Sequence, residues 1–378
     1  MSVKPGLASG SLYTFYHRRI LLCLTHPVSQ VFFGISREYA FFPKQSGHGL
    51  VKRHSLFNSI GTSLLLVLLS SCSVPAPSGM VQMRPFEIES KETRRTEFDG
   101  LVLLSSFELR SRHPHFGGIS GLSIGADGRL YAVSDRGYWL SARMRQDSDG
   151  ALIDLLDWQI KPILTPKRTP TDGLLTDAEA LARAPDGSFI IGFEQKHRLW
   201  RYLPPPLTFD SPAQPITPPS DLIKAPRNGG LECVAVLPSG EIFTIAEELQ
   251  NKDGSFRGWL IGNQQTVELS YLPSNGFRAS DCTALPNGDV IVLERRLSIF
   301  LSFSARLKLI RASSIRPYAM LNGEDLLRLE PPLRLDNFEG LAVREDAGGT
   351  LIYLISDDNL QPFQRTLLLQ FRLPRADH

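Results

Sequence analysis

The sequence predicts an all-β protein, a β-propeller of five blades, from three observations. A strand-turn-strand unit occurs five times, and four of the turns are Asp-Gly, Ser-Gly or Asn-Gly, which are typical of β-hairpins. Successive copies begin 49 to 59 residues apart, which leaves room for two more strands in each repeat. Sustained helical periodicity is absent. The alternative blade count is six. The alternative folds are a β-sandwich and two small β domains, but neither of these explains the regular spacing of the repeat.

The N-terminal 72 residues read as a prefix followed by a lipoprotein signal peptide. The basic segment Lys52–His54 precedes the apolar run Leu56–Leu69, and Leu-Ser-Ser-Cys follows, ending at Cys72. This ending resembles the bacterial lipobox, in which the cysteine receives the lipid, and Ser73 then favours the outer membrane. We therefore expect an outer-membrane lipoprotein that faces the periplasm. The alternatives are a secreted protein, if the signal is cleaved without lipidation, and a buried helix.

Residues 73–97 are charged and weakly patterned, and we assign them to a tether before a propeller domain at 98–374. Within the domain, the last strong strand is Thr366–Leu373, which leaves the fifth blade one strand short. The strand Leu101–Leu109, which precedes the first hairpin, could complete that blade and close the ring.

The five hairpins share short runs rich in Val, Ile and aromatic residues, and the fourth is one residue shorter in each half. In chain order they are Gly118–Asp135, Thr176–Glu194, Gly230–Glu247, Ser280–Glu294 and Asn337–Asp357. After the third hairpin, Arg257–Gly262 and Thr266–Leu272 are predicted to complete the blade.

The charge distribution argues against nucleic acid as a partner. Residues 1–54 hold seven of the 41 Lys and Arg but one of the 39 Asp and Glu, so the remainder has 34 basic and 38 acidic residues. A nucleic-acid binder needs a basic surface to neutralise phosphates. We expect instead that the protein is a monomer and that its substrate is a small ester or phosphoester. We expect it to contact the membrane only through its lipid anchor.

Acidic residues open and close the hairpins, so a propeller would bring them to one mouth of its central channel. The opening positions are Ser120, Glu179, Glu232, Asp281 and Glu339, and the closing positions are Asp135, Glu194, Glu247, Glu294 and Asp357. Nine carboxylates in a confined space must bind cations, hold protons or meet basic side chains.

Oxygen ligands in this number suit Ca²⁺, with Mg²⁺ as the alternative, whereas too few histidines are present for a zinc site. The competing interpretation is that the acids form structural ion pairs with nearby basic residues. The candidates for those pairs are Arg136, Lys196, Arg198, Arg227, Arg278, Arg295 and Arg296.

Other chemistries find little support. Ser120 does not lie in a Gly-x-Ser-x-Gly turn between strand and helix, and no phosphate-binding Gly-x-x-x-x-Gly-Lys motif is present in the domain. Cys233 and Cys282 occupy equivalent repeat positions, each after an acid. A bridge between neighbouring blades would fit them, but we expect two buried free thiols.

Several ordered motifs resemble the bacterial family described as "esterase-like activity of phytase", over about residues 95–373. They are Gly117–Leu122, Ser134–Gly137, Asp177–Leu181, Gly229–Glu232 and Asp336–Leu341. The resemblance implies a propeller rich in acids that hydrolyses phosphoesters or other esters. The positions that carry over are Asp135, Glu179, Glu194, Glu232, Glu247 and Glu339.

The hypothesis is a lipid-anchored, Ca²⁺-dependent hydrolase of phosphoesters or small esters. We assign catalysis to Glu179, Glu232 and Glu339, and cation binding to Asp135, Glu194, Glu247, Glu294 and Asp357. The alternative is a non-catalytic periplasmic propeller that binds a peptide, glycan or protein, in which the acids are structural.

Overall fold

Five β-sheets form the protein in a computed structural model that describes residues 80–89, 96–262, 265–298 and 302–375. The predicted signal peptide and Cys72 lie outside these residues. Among the described residues, no helix is long and apolar enough to cross a membrane. Within the described ranges the regular elements are strands, apart from three 3₁₀ helices of three to five residues: Gly173–Leu175, Ser220–Lys224 and Ala312–Ser314.

The strands are numbered in chain order, and the first three belong to the blade that closes the ring. They are β1 (Val81–Pro85), β2 (Glu97–Phe98) and β3 (Leu101–Ser111). Blade I contains β4 (Ile119–Ile124), β5 (Arg129–Ser134), β6 (Tyr138–Gln146) and β7 (Leu152–Pro162). Blade II contains β8 (Ala178–Arg183), β9 (Phe189–Phe193), β10 (Arg198–Tyr202) and β11 (Gln214–Ile216).

The remaining strands complete three more blades. Blade III contains β12 (Leu231–Val236), β13 (Ile242–Gln250), β14 (Phe256–Ile261) and β15 (Thr266–Tyr271), with β19 (Met320–Leu321) added in parallel. Blade IV contains β16 (Arg278–Ala284), β17 (Val290–Leu297), β18 (Phe303–Ile310) and β20 (Glu324–Leu329). Blade V contains β21 (Asn337–Asp346), β22 (Gly349–Asp357) and β23 (Thr366–Pro374), followed by β3, which pairs with β1 and β2.

The first strand of each blade is its innermost strand, and these five strands contact one another in a closed ring: β4, β8, β12, β16 and β21. This confirms the predicted propeller and its count of five blades. The predicted closure is also found, because β3 pairs antiparallel with β23. Val81–Pro85, which the sequence assigned to the tether, instead forms β1 and pairs along the whole of its length with β3.

The hydrophobic core lies between neighbouring blades. Five clusters of buried side chains fill the five interfaces, and two tryptophans are among the largest fully buried side chains, Trp139 and Trp259. Because each blade buries both faces against its neighbours, its inner strands are apolar along most of their length.

A disulfide bond joins Cys233 of β12 to Cys282 of β16, so the expectation of two free thiols was wrong. The two Cα atoms are 4.8 Å apart, and both residues are buried. Neighbouring inner strands bring the cysteines within bonding reach, and the bond ties blade III to blade IV beside the channel.

Candidate functional site: an acidic channel mouth

A β-bulge near the start of each inner strand sets which side chains lie at the channel mouth. In each blade the pairing register between the first and second strands shifts by one residue. The residues passed over by the shift are Ser120, Glu179, Glu232, Ser280 and Glu339. Bulges re-aim side chains next to functional sites, and here they repeat five times around the axis.

The second strand of each blade returns to the same mouth. The backbone N–H groups of Asp135, Glu194 and Glu247 donate to the residue two positions before each bulge, at 2.9 to 3.0 Å. The spacing from bulge to returning residue is 15 positions in blades I to IV, and Arg295 therefore holds the returning position of blade IV. In blade V the turn between the first two strands is longer, so the returning residue is Asp357, which pairs with Asn337.

Blade IV thus differs from the sequence-based alignment by one residue on each strand. Asp281 and Glu294 were assigned to the mouth, but Ser280 and Arg295 hold those positions. The hairpin is not shortened. The constant spacing of 15 residues was the signal in the sequence that identified the correct pair.

Asp281 and Glu294 are fully buried and instead accept hydrogen bonds from backbone N–H groups and, for Glu294, from a tyrosine hydroxyl. The Asp281 carboxylate accepts hydrogen bonds from the N–H groups of Cys282 and Leu341, at 2.7 and 2.6 Å, and so links blade IV to blade V. Glu294 accepts from the Tyr271 hydroxyl at 2.7 Å and from the Ser274 N–H at 2.9 Å. Neither residue joins the acids at the mouth.

Arg295 divides the mouth into two halves. Its Nη2 lies 3.2 Å from Glu247 Oε1, 3.3 Å from Glu339 Oε1 and 3.7 Å from Glu232 Oε2. Asn337 extends this network by accepting from Arg295 Nη1 and donating to Glu339. We call this the paired half. It confirms the ion-pair interpretation for the acids of blade III and for Glu339.

Burial opposes every charge in the paired half, but the guanidinium offsets part of that cost. Burial lowers the pKa of Arg295, and the carboxylates of Glu339, Glu247 and Glu232 outweigh it and raise that pKa. Burial and Glu247 raise the pKa of Glu232, and burial raises that of Glu339 in spite of Arg295. Burial and Glu339 raise the pKa of Asp357, whose carboxyl shares a hydrogen bond with Glu339.

The other half of the mouth, at blades I and II, contains Asp135, Asp177, Glu179 and Glu194. We call it the unpaired half, because none of these acids forms an ion pair within the described part of the chain. Ligand oxygens of Asp177, Glu179 and Glu194 lie within 4.8 Å of one another. Glu194 Oε1 accepts the N–H groups of Gly229, at 2.7 Å, and Gly230.

Three carboxyl groups of the unpaired half, those of Asp135, Glu179 and Glu194, have raised pKa values. Burial, followed by the charges of Asp177 and Glu339, raises the pKa of Asp135 to about 7. Burial raises the pKa of Glu194 to about 8, against the opposing effect of its two backbone hydrogen bonds. Burial and Glu194 raise the pKa of Glu179 well above its ordinary value. Without a cation, these groups keep protons near neutral pH.

Three residues at the mouth were missing from the predicted site. Asp177 stands two positions before Glu179, and residues two apart in an extended segment share a face, so alternation could have identified it. Arg295 required the constant spacing of the repeat. Asn337 stands in the same position relative to Glu339 as Asp177 does to Glu179.

The fold and the mouth together define a five-bladed propeller whose channel opens onto a cluster of buried carboxylates. The chain belongs to the Phytase-like family, described as "Esterase-like activity of phytase", whose sequence model matches residues 114–360. No curated protein matches the chain.

Solved structures similar to this chain share little sequence with it. A PQQ-bound aldose sugar dehydrogenase from Streptomyces coelicolor is 12% identical with a TM-score of 0.35, covering 71% of this chain and 98% of the other. A streptogramin B lyase is 12% identical with a TM-score of 0.35, covering 73% and 88%. The Dos1 propeller is 10% identical with a TM-score of 0.33, covering 74% and 75%. At these values none of them informs the chemistry.

Proposed function

We propose that the protein is a cation-dependent hydrolase of phosphoesters or other small esters, and that the unpaired half of the mouth is its active site. The observation that carries this proposal is the close approach of the Asp177, Glu179 and Glu194 carboxylates, within 4.8 Å, with no ion pair to neutralise them. Like charges this close together, with Glu194 buried and Asp177 and Glu179 partly buried, require a cation or protons. Family membership supports ester hydrolysis as the reaction.

The residues of the unpaired half fit a hard divalent cation. Their donors are carboxylate oxygens, which Ca²⁺ prefers, and Ca²⁺ also tolerates irregular geometry and water ligands. Asp135 Oδ1 is buried and has no hydrogen-bond partner among the described residues. A bound cation would polarise the ester oxygen and stabilise the charge that develops on it.

Each residue of the unpaired half then has a specific task. Asp177, Glu179 and Glu194 hold the cation, and the N–H groups of Gly229 and Gly230 fix the Glu194 carboxylate. Asp135, whose Oδ1 has no hydrogen-bond partner among the described residues, would accept a proton from the attacking water and return it to the leaving group.

The roles first assigned from sequence change accordingly. Glu232 and Glu339 were assigned to catalysis and Glu247 to cation binding, but all three contact Arg295. We propose that they position that guanidinium and so stabilise the mouth. Glu179 moves from proton transfer to cation binding, and Asp135 moves from cation binding to proton transfer.

The test is an assay of the purified protein on phosphomonoesters, phosphodiesters and carboxyl esters, with Ca²⁺, with Mg²⁺ and with chelator. We expect turnover that requires the cation and is lost in Glu179→Gln. The control is Glu241→Gln, which changes a partly buried acid in the turn at the other end of a hairpin and should behave as wild type. A Ca²⁺-dependent rise in melting temperature without turnover would instead favour the non-catalytic binding propeller. Neither turnover nor a rise would contradict both the cation site and the hydrolase.

We also propose that the protein is exported and anchored through a lipid on Cys72. The lipobox-like sequence and the Cys233–Cys282 disulfide support this, because disulfides persist in oxidising compartments outside the cytoplasm. Labelled fatty acid should be incorporated into the protein in a Gram-negative host and not into Cys72→Ser. Equal labelling of both proteins would contradict lipidation at Cys72.

A further inference from the structure

A cavity of about 530 Å³ lies beside the acidic mouth, between the loops of blades II and III. Its walls come from the turn between β9 and β10, which includes Lys196 and His197, and from the loop that contains the 3₁₀ helix Ser220–Lys224. This volume falls in the range of cavities that bind small molecules. No role in the proposed hydrolysis requires it.

The cavity is basic, in contrast to the mouth next to it. Lys196 and Arg227 line it, both are exposed, and neither forms an ion pair within the described residues. The residues that line it include no aspartate or glutamate. The nearby acid Asp221 is already paired with Arg257. The two cations are therefore available to an anion that enters the cavity.

The rest of the lining is largely apolar. Pro218, Pro219 and Leu222 contribute to the walls, and Ile223 is 85% exposed at the edge. An isoleucine this exposed, next to a cavity, is a surface that an apolar ligand group would cover.

Hydrogen bonds between the two loops hold the cavity in shape. The Gln195 N–H donates to the Arg227 carbonyl at 2.9 Å, and the Gln195 side chain donates to Asn228. His197 Nε2 bonds the Pro226 carbonyl at 2.9 Å, while its ring lies against Gly230. A site that is formed before the ligand arrives loses less entropy on binding.

We propose that this cavity binds a small amphiphilic anion, with a phosphate, sulfate or carboxylate group on Lys196 and Arg227 and an apolar body on Leu222 and Ile223. The site is separate from the acidic mouth, because none of the mouth carboxylates lines the cavity. The proposal holds whether or not the protein is a hydrolase.

The test is calorimetric titration of the full-length protein with 1-naphthyl phosphate in the presence of chelator, so that no cation recruits phosphate to the mouth. We expect binding at one site, and weaker binding of inorganic phosphate and of neutral 1-naphthol. The double variant Lys196→Gln/Arg227→Gln should bind about tenfold more weakly, since it removes both charges. Ile223→Ser should weaken the binding of 1-naphthyl phosphate but not the binding of inorganic phosphate.

The matched control is Lys224→Gln, an exposed lysine on the same 3₁₀ helix that does not line the cavity. It should bind as wild type does. The proposal fails if wild type shows no binding at millimolar ligand, if the double variant binds as wild type does, or if Lys224→Gln weakens binding equally. Equal affinity for naphthol and naphthyl phosphate would overturn the anion site.

Discussion

Replacing Arg295 with glutamine should destabilise the protein in a way that depends on pH. The guanidinium contacts three carboxylates, and the change leaves Glu232, Glu247 and Glu339 without a cation while they remain 7 to 9% exposed. An uncompensated buried charge is among the costlier defects in a folded protein.

The size of the effect follows from how far these groups are buried. Breaking a fully buried pair costs about 3 to 5 kcal/mol, and an exposed pair contributes about 0 to 1 kcal/mol. The Arg295 side chain is 24% exposed, between these limits, so we expect a loss of about 2 to 3 kcal/mol. For a domain of this size that lowers the melting temperature by about 3 to 5 °C.

The pH dependence has a definite sign. Without Arg295 the pKa values of Glu232 and Glu339, already raised by burial, rise further, so the folded variant binds more protons than the unfolded chain. The stability difference from wild type should therefore be largest above neutral pH and shrink as the pH falls toward 5, when the carboxyls become neutral.

Urea unfolding of Arg295→Gln at several pH values measures this effect, with Arg278→Gln as the control. Arg278 is on the same blade and pairs with Glu248 at 3.5 Å, but both side chains are more exposed. We also expect Ca²⁺ to stabilise Arg295→Gln more than wild type, because three carboxylates become free to bind it. If Arg295→Gln is as stable as Arg278→Gln at every pH, Arg295 does not neutralise the mouth.

Three further predictions follow from other parts of the ring. Ca²⁺ added in weak buffer at pH 7 should release protons, because Asp135 and Glu194, with pKa values of about 7 and 8, must ionise; unchanged pH would argue against a cation there. Replacing Cys233 and Cys282 with serine should cost about 2 to 4 kcal/mol in urea unfolding, because the disulfide closes a long loop, and unchanged stability would contradict the bond. Asp281→Asn should lower the free energy of unfolding by about 1 to 3 kcal/mol, because it disturbs the hydrogen bonds from the Cys282 and Leu341 N–H groups, but it should leave Ca²⁺ affinity unchanged. A loss of Ca²⁺ affinity would indicate that Asp281 does contribute to the mouth.

The architecture could be predicted because the repeat can be recognised directly in the amino-acid sequence. The apolar runs recur in all five blades and the turn residues in four of them, so the hairpins, the count of five and the closing strand Leu101–Leu109 could all be identified. β14 and β15 also fall within one or two residues of their predicted positions. These features are local, and local patterns are what a single sequence displays.

The chemistry of the mouth was harder to predict because it depends on a one-residue register. In blade IV the two mouth positions are Ser280 and Arg295, and an acid stands next to each of them, Asp281 and Glu294. Aligning acids with the acids of the other blades therefore selected the residue beside the correct one. A shift of one residue turns a side chain to the other face of a strand, so this choice reversed the sign of the charge that blade IV contributes. The disulfide was missed for a related reason, since it depends on two inner strands lying side by side.

Because Arg295 pairs with the acids on one side of the mouth only, the proposed cation site is expected on the other side. A ring of nine equivalent acids would have offered sites on every side, with no reason to prefer one. Arg295 instead forms ion pairs on the side of blades III and V, and the carboxylates of Asp135, Asp177, Glu179 and Glu194 are left without an ion pair among the described residues. Because one basic residue replaces an acid in a single blade, the fivefold repeat becomes one-sided. Under the proposed function, a substrate held at the unpaired half would meet the proposed cation ligands of blade II and the Asp135 carboxyl of blade I together.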